Sequence, residues 1–420
     1  MRILTITSDH PPHHAGGYEL RVKDIMNGLS ARGHEVLILS TKPKKKLKSK
    51  RDGSTYIVKR LLHDRNQARF FPKELFFDII DTRVIEKNIK EFHPDVIYLG
   101  HTYILSKAIL PYLAGLKIPI IYDEGGNGLK GAWTEHGRWF RFCGDYQPKI
   151  KALSIVKPAV IKLVLWLAKD RIQQKWCWPE GMKVIFNSQS NLDHSLSFGV
   201  PANNAKVIHS GIDLDKFHLI TQQQFEQPIR IICPGRLEQR KGQLDAIKLI
   251  DRLMKIGINA TLTLVGKSYS KNFLERLNFK VSAIGLQKQV RILGMINQEE
   301  MVRLYQNSDI CFFTSKQKAG FSRTPLEAMA CGSIVISYGN EGSNEIIIDG
   351  ENGFVVNEGS IEDVAAIIRN LVNSPKIVSR IITNARKTVE DKFNLEKYIL
   401  NVEDLISKQV CSKVIDERIS

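Results

Sequence analysis

A chain of 420 residues is long enough for two domains of ordinary size, each with its own hydrophobic core. Its 43% hydrophobic and 25% charged residues are typical of a soluble globular protein and exclude a disordered or fibrous chain. The net charge of +17 predicts an anionic partner. Because no zinc-finger spacing or other nucleic-acid-binding motif is present, we expect no nucleic acid partner and favour an anionic membrane surface.

The start of the chain and its cysteines indicate the compartment. Met1–Thr7 enters a strand pattern directly, without the charged, apolar and small-residue segments of a signal peptide. The six cysteines are scattered with no C-x-x-C pair, which indicates reduced core residues. We therefore expect a cytoplasmic protein, and the net charge makes the inner face of the plasma membrane a candidate peripheral location.

The first forty residues predict a βαβ unit. Arg2–Thr7 and His34–Leu39 are short apolar runs typical of buried parallel strands. Between them, apolar residues recur at helical spacing: Val22, Ile25, Met26 and Leu29. Gly16 and Gly17 stand between the first strand and this helix, where α/β sheets bind ligands, although two glycines also suit a plain turn.

Two further strands end at candidate ligand-binding residues. Asp95–Leu99 is followed by His101, and Ile118–Tyr122 is followed by Asp123 and Glu124. Because parallel strands end at the same edge of a sheet, both strand ends are expected on the side of the glycine pair.

Two segments of the first half suggest contact with anionic lipid. Lys42–Arg51 holds seven basic residues in ten and no acid, which suits either a solvated loop or a headgroup contact of roughly 1 kcal/mol per cation. Ala159–Ala168 is about half the roughly 20 residues that span a bilayer. It predicts either a buried helix of the first domain or an interfacial helix anchored by Trp166, Lys162 and Lys169.

A second α/β pattern follows the polar run Thr221–Pro228, which is typical of a linker. Its first strand ends at Pro234–Gly242, a segment that contains Gly235, Arg236 and Lys241. The predicted strands of this half are Ile229–Cys233, Ala260–Val265 before Gly266, Val290–Leu293, Asp309–Phe313 and Ile334–Ile336.

The stretch from Thr314 to Val356 carries the most specific motif. Thr324 is the expected N-cap of a short helix with Pro325 at its first position. Glu327 lies in the first turn of this helix and is the only carboxylate between Asp309 and Glu341. The helix N-terminus points unpaired N–H groups outward, so this place suits a nucleotide.

These residues resemble the signature of the retaining nucleotide-sugar glycosyltransferases of family 4, which have the GT-B fold. The family pattern G-F-x-x-x-x-L-E-A-M-A-x-G is matched here from Gly320 to Gly332, and its Glu, here Glu327, holds the donor ribose. Gly235–Gly242 is similar to the G-R-L-x-x-x-K-G segment whose Arg and Lys hold the donor diphosphate. Two positions depart from the pattern: Ala319 replaces an earlier family Glu, and the usual acceptor-side His after Tyr122 is missing.

The resemblance implies two doubly wound Rossmann-like domains that face a central cleft. It places an acceptor-side domain at 1–215, a linker at 216–228, a nucleotide-sugar-binding domain at 229–395, and a helix at 396–420 that packs back toward the N-terminal domain. The donor-binding residues it implies are Gly16, Gly17, Gly235, Gly266, Gly320, Phe321, Leu326 and Glu327. Arg236 and Lys241 are the implied catalytic cations, with His101 or Glu124 holding the acceptor hydroxyl.

The activity implied is transfer of a hexose-type sugar from a nucleoside diphosphate sugar to a glycan or lipid-linked acceptor, in surface polysaccharide or glycolipid synthesis. We expect no cofactor beyond this co-substrate and no metal, because the one D-x-D, Asp213–Asp215, falls in a boundary turn. Ala319 and the missing His leave a second hypothesis, a non-catalytic protein that binds nucleotide sugars or glycans. A third is an epimerase that acts on the sugar nucleotide alone.

Overall fold

The computed structural model of the protein describes residues 1–11, 17–42, 56–68, 70–126, 128–144, 151–169, 171–220 and 225–419. Gly16, nearly all of the Lys42–Arg51 cluster and half of the predicted linker lie outside the described residues. The chain forms two compact units. The first comprises Met1–Asn187, Leu192–Ile208 and Ile399–Ser420, and the second comprises Ser188–Asn191 and His209–Tyr398.

The described part of the first unit contains a seven-stranded parallel sheet with the order β3-β2-β1-β4-β5-β6-β7. The strands are β1 Arg2–Ile6, β2 Glu35–Thr41, β3 Ile57–Leu62, β4 Val96–Leu99, β5 Ile120–Glu124, β6 Lys183–Phe186 and β7 Lys206–Val207. The helices are α1 Gly17–Ala31, α2 Phe71–Phe92, α3 Ile109–Ala114, α4 Gly128–Glu135, α5 Arg138–Cys143, α6 Lys151–Ala168 and α7 Gln189–Leu196, whose first three residues belong to the second unit. A 3₁₀ helix spans Arg65–Gln67.

The described part of the second unit contains a six-stranded parallel sheet with the order β10-β9-β8-β11-β12-β13. The strands are β8 Ile229–Pro234, β9 Ala260–Val265, β10 Val290–Leu293, β11 Ile310–Phe313, β12 Ile334–Ser337 and β13 Phe354–Val355. The helices are α8 Gln243–Lys255, α9 Lys271–Ala283, α10 Gln298–Gln306, α11 Thr324–Ala330, α12 Ile361–Val372, α13 Pro375–Lys392 and α14 Leu395–Ile419, whose later residues belong to the first unit. Two 3₁₀ helices span Gln239–Lys241 and Ser343–Glu345.

The central strands have the residues that a doubly covered sheet requires. β4 and β11 are buried along their whole length, because helices cover both faces of each sheet and leave no position that favours a polar side chain. The predicted fold class, two doubly wound parallel α/β sheets, is confirmed.

Two local predictions need correction. Thr324 is the first residue of α11, not its N-cap; the N-cap is Arg323, which makes no side-chain cap bond. Helix α6 is not buried all round, since Ile155 and Trp166 are exposed while Ile161 and Ala168 are buried. Within the described ranges, none of the helices has the length and apolar content that a bilayer crossing requires.

Each sheet has one point where the strand order reverses, and ligands of open α/β sheets bind outside the strand ends there. In the first unit this point lies between β1 and β4, where the Ser8 N–H donates to the His101 carbonyl over 2.6 Å. In the second unit it lies between β8 and β11, where Thr314 Oγ1 donates to the Lys241 carbonyl over 2.6 Å. Two of the predicted catalytic residues, His101 and Lys241, therefore stand at the two reversal points.

Candidate functional site

The glycines after β8 and β9 are fixed by backbone geometry. Gly235 and Gly266 have φ values of +140° and +150°, which L side chains rarely adopt. A Cβ atom at Gly266 would lie 2.0 Å from the Gly235 carbonyl oxygen. The two strand ends thus approach each other so closely that only glycine fits at position 266.

Gly266→Ala should destabilise the protein beyond the cost of its left-handed backbone alone. The matched control is Gly257→Ala, because Gly257 also has a positive φ, +77°, but a Cβ added there would meet no atom within 4 Å. We expect Gly266→Ala to lose about 1–3 kcal/mol more of the free energy of unfolding than Gly257→Ala. Urea unfolding of both variants measures the difference, and equal losses would contradict the close approach.

Lys241 is held in place from both sides. It is the last residue of the 3₁₀ helix Gln239–Lys241. The following residue, Gly242, has a φ of +70°, and a Cβ atom added at Gly242 would lie 2.2 Å from the Thr314 carbonyl oxygen. The Lys241 ammonium lies 2.5 Å from Glu341 Oε2, and the two side chains are only 12% and 9% exposed. A nearly buried cation therefore stands at the reversal point of the second sheet.

Glu341 was not among the predicted site residues. It has a φ of +51°, which is uncommon for a residue other than glycine, and such backbone strain clusters at functional sites. Its N–H donates to the Gln317 carbonyl over 3.0 Å, and its carbonyl accepts from the Ser322 N–H over 3.1 Å. The strained turn thus aims a carboxylate at Lys241. The one signal in the sequence was that Glu341 is the first acid after Glu327.

Arg236 is less constrained than Lys241. Its side chain is 50% exposed, and its Nε lies 3.6 Å from Glu238 Oε1, which also accepts a hydrogen bond from Arg240 Nε at 2.7 Å. The Arg236 carbonyl accepts from the Gln243 side chain over 2.9 Å. The backbone of Arg236 is therefore anchored at the strand end, while its guanidinium can reach a ligand.

Glu327 lies at the start of α11, close to the loop that Glu341 stabilises. Glu341 is hydrogen-bonded to Ser322, which stands two residues before α11. The Tyr305 hydroxyl donates to Glu327 Oε2 over 3.2 Å, and Arg323 Nε lies 3.8 Å from Oε1. Burial, together with the Glu327 charge, raises the pKa of Tyr305 well above its ordinary value, so Tyr305 stays a donor.

The other predicted donor-binding residues of the second unit have different surroundings. Gly320 has a φ of +122°, and a Cβ there would lie 3.9 Å from Glu341 Cγ. The Phe321 ring packs against His209 at a centroid distance of 5.4 Å. Leu326 is fully buried in the hydrophobic core, so its side chain anchors α11 to the core of the second unit.

His101 is the predicted acceptor-side residue at the reversal point of the first sheet. Its side chain is 27% exposed, and its Nδ1 lies 4.0 Å from Glu19 Oε1. Its ring lies at centroid distances of 5.0 Å from Tyr18 and 6.3 Å from Tyr103. Gly17 begins α1 at the same edge of the sheet.

Glu124, the alternative acceptor-side residue, is engaged with the backbone. Its Oε1 accepts from the Gly126 N–H over 2.6 Å, and its Oε2 accepts from the Leu129 N–H at the start of α4. Its neighbour Asp123 is fully buried, where it pairs with Arg21 and accepts from the Tyr98 hydroxyl over 2.6 Å. Both acids of this strand end thus hold structure together.

The structure brings the predicted residues together in two groups. In the second unit, Gly235, Arg236 and Lys241 follow β8, Gly266 follows β9, and the loop from Gly320 to Glu327 follows β11. In the first unit, Gly17, His101 and Glu124 lie at one edge of the sheet. Among the described residues, no group of three His, Cys, Asp or Glu side chains could hold a metal ion.

Two family models match the chain. The model described as Glycosyltransferase Family 4 matches residues 15–216, and the model described as Glycosyl transferases group 1 matches residues 216–388. A glycogen synthase of Mycobacterium tuberculosis is 22% identical over 409 residues, which cover 94% of this chain and 91% of that protein.

Solved structures share the fold along nearly the whole chain. A glycosyltransferase from Rickettsia africae has a TM-score of 0.72 at 19% identity and covers 97% of this chain and 98% of its own. Anabaena HepE, solved in complex with UDP-glucose, has a TM-score of 0.67 at 19% identity and covers 97% of this chain and 100% of its own.

Proposed function

Because the chain belongs to the glycosyltransferases of family 4, which have the GT-B fold, we propose that it transfers a hexose-type sugar from a nucleoside diphosphate sugar to a glycan or lipid-linked acceptor. The UDP-glucose complex of Anabaena HepE supports a nucleotide-sugar donor. The similarity to a glycogen synthase supports a carbohydrate acceptor. Synthesis of surface polysaccharide or glycolipid is the process that we assign to this reaction.

The observation that carries the proposal is the position of Lys241. Cleavage of a sugar–phosphate bond leaves a nucleoside diphosphate with new negative charge, and a fixed cation stabilises that charge best where water is largely excluded. Lys241 is such a cation, since it is 12% exposed and is held by the Thr314 and Gly242 contacts at a ligand-binding strand end. Gly235 and Gly266 carry no side chain at these two strand ends, which lets a phosphate approach the backbone.

We assign a front-face substitution that retains the anomeric configuration. The bond between the sugar C1 and the phosphate oxygen breaks, and the bond between C1 and the acceptor oxygen forms on the same face. The acceptor proton passes to an oxygen of the leaving diphosphate, so the step needs no metal and no separate base. Lys241 and Arg236 stabilise the diphosphate while the bond breaks.

Glu341 supplies the carboxylate that the family pattern has at position 319, where this chain has Ala319. In the family pattern, the residue at position 319 is a Glu beside the transferred sugar, and here Glu341 brings a carboxylate to the same loop, close to Gly320. Its ion pair with Lys241 orients the ammonium. We assign Glu341 the contact with the sugar hydroxyls of the donor.

His101 is the better candidate for the acceptor hydroxyl. It is 27% exposed, whereas Glu124 is nearly buried and engaged with the N-terminus of α4. Glu124 is thus assigned to shaping the loop after β5, and His101 to accepting or donating the hydrogen bond of the acceptor.

Thermal unfolding in the presence of UDP-, GDP- and ADP-sugars identifies the donor. A ligand at 100 times its dissociation constant should add about 2.7 kcal/mol to the free energy of unfolding. Release of nucleoside diphosphate in the presence of acceptor glycans then tests transfer. Binding without any release would favour a non-catalytic binding protein, and conversion of the sugar nucleotide without an acceptor would favour an epimerase.

A further inference from the structure

Helix α6 presents a broad apolar face to solvent. The side chains of Ile155 and Trp166 are 79% and 73% exposed. Further exposed apolar residues line the same side at helical spacing: Val156, Val160, Leu163 and Leu167. Contiguous apolar patches of this kind on a soluble domain mark interaction sites.

The opposite side of α6 fixes the helix along the surface of the first unit. Ile161 and Ala168 are buried in a cluster with Trp139 and Phe140 of α5, and Val164 and Leu165 pack against it. Because one side is anchored in this cluster, the exposed side is a permanent surface of the folded unit.

The sequence that contains this helix is strongly basic. Between Arg138 and Lys169 the sequence holds seven basic residues and one acidic residue. Lys162 is exposed and lies four residues before Trp166, on the same stripe, and Lys169 is exposed just after the helix. An apolar face with Lys and Trp at its border is the arrangement of a helix that lies in the headgroup region of a membrane.

Charge also decides between two possible occupants of this face. A second copy of the chain would bring the same excess of positive charge against itself, which opposes association. An anionic lipid surface both covers the apolar side chains and neutralises the lysines, with a gain in binding of about fivefold for each cation near the surface.

We propose that the exposed face of α6, centred on Ile155, Leu163 and Trp166, docks the protein on a bilayer surface that contains anionic lipids. The helix lies parallel to the surface, with its apolar residues at the boundary of headgroups and acyl chains and with Lys162 among the headgroups. This surface is independent of the donor site assigned above.

Sedimentation with vesicles tests the docking. Vesicles of equal parts phosphatidylglycerol and phosphatidylcholine should bind the full chain, and pure phosphatidylcholine vesicles should bind it far less. Ile155→Glu combined with Trp166→Glu should weaken binding to the anionic vesicles at least about tenfold. The matched control is Phe279→Glu, because Phe279 is 74% exposed but lies on α9 of the second unit.

A second measurement follows Trp166 itself. Its fluorescence should shift to the blue on anionic vesicles, and Trp166→Phe should remove that shift while the protein still sediments with the vesicles. Transfer to a soluble acceptor by the Ile155→Glu/Trp166→Glu variant should equal that of the wild type, so failure of the docking is distinguishable from failure of the donor site.

Three outcomes would overturn the proposal. One is the absence of binding to anionic vesicles, and another is equal binding by the double variant and by Phe279→Glu. The third is self-association of the wild type that the double variant loses, without vesicle binding, which would make this face an interface between copies.

Discussion

Lys241→Ala is expected to lower the turnover of sugar transfer about 10²–10³-fold, the usual loss when one preorganised group that stabilises developing charge is removed. The reason is that Lys241 stands nearly buried at the reversal point of the second sheet, where its charge is poorly screened. The measurement is the rate of nucleoside diphosphate release at saturating donor. Arg236→Ala should cost less, because its guanidinium is half exposed.

Arg240→Ala is the matched control for both substitutions. Arg240 is the residue before Lys241 and is as exposed as Arg236, but its Nε is hydrogen-bonded to Glu238 Oε1 at 2.7 Å, whereas Arg236 Nε lies 3.6 Å from that oxygen. Since Lys241→Ala leaves Glu341 buried without its cation, urea unfolding of the Lys241→Ala variant is measured beside its turnover to separate lost catalysis from lost stability. Native turnover in both Arg236→Ala and Lys241→Ala would exclude these cations from the reaction.

Glu341→Gln should lower kcat without a matching change in KM for the donor. The substitution keeps the shape of the side chain and removes its charge, while the Thr314 and Gly242 contacts still hold Lys241, so KM for the donor should change little. Turnover should nevertheless fall by about 10–10²-fold, because a charged contact to the reacting sugar is gone. Steady-state measurement of kcat and of KM for the donor decides this.

A rescue variant makes the role of Glu341 specific. If Glu341 supplies the acid that Ala319 lacks, Ala319→Glu in the Glu341→Gln background should recover part of the turnover. Glu358→Gln is the control, since Glu358 pairs with Lys316 and Lys318 on a more exposed part of the same unit and should have no effect. A normal kcat in Glu341→Gln would restrict Glu341 to a structural partner of Lys241.

The central strands could be read from the sequence because burial on both faces leaves a simple pattern. β9 has the bounds, Ala260–Val265, that its apolar run predicts. β3, Ile57–Leu62, was not predicted because it contains Lys59 and Arg60 in its middle. It is the edge strand of its sheet, and charged residues are common at such edges.

The site was only partly predictable, for a physical reason. Gly235, Gly266 and Lys241 follow strand ends, and strand ends are visible in the sequence. The Glu341 side chain points toward Lys241 because its backbone has a φ of +51° and is hydrogen-bonded to Gln317 and Ser322. The spacing of residues in the sequence predicts neither feature. The orientation of α6 likewise depends on which of its sides packs against α5. From the sequence alone, α6 could be either a buried helix or an interfacial one.

The return of the chain to the first unit at Ile399 affects how the protein can be divided. Ile399 packs directly against Gly28, so that a Cβ atom added at Gly28 would lie 2.2 Å from Ile399 Cδ1. Glu403 also accepts a hydrogen bond from Arg32 Nε over 2.6 Å. If the chain were divided once, near residue 208, the N-terminal fragment would lack the α14 residues that pack against it. The C-terminal fragment would carry those residues with their apolar side chains exposed. Expression of the second unit by itself should stop at Tyr398, and reassembly of a split protein would need the last segment supplied with the first unit.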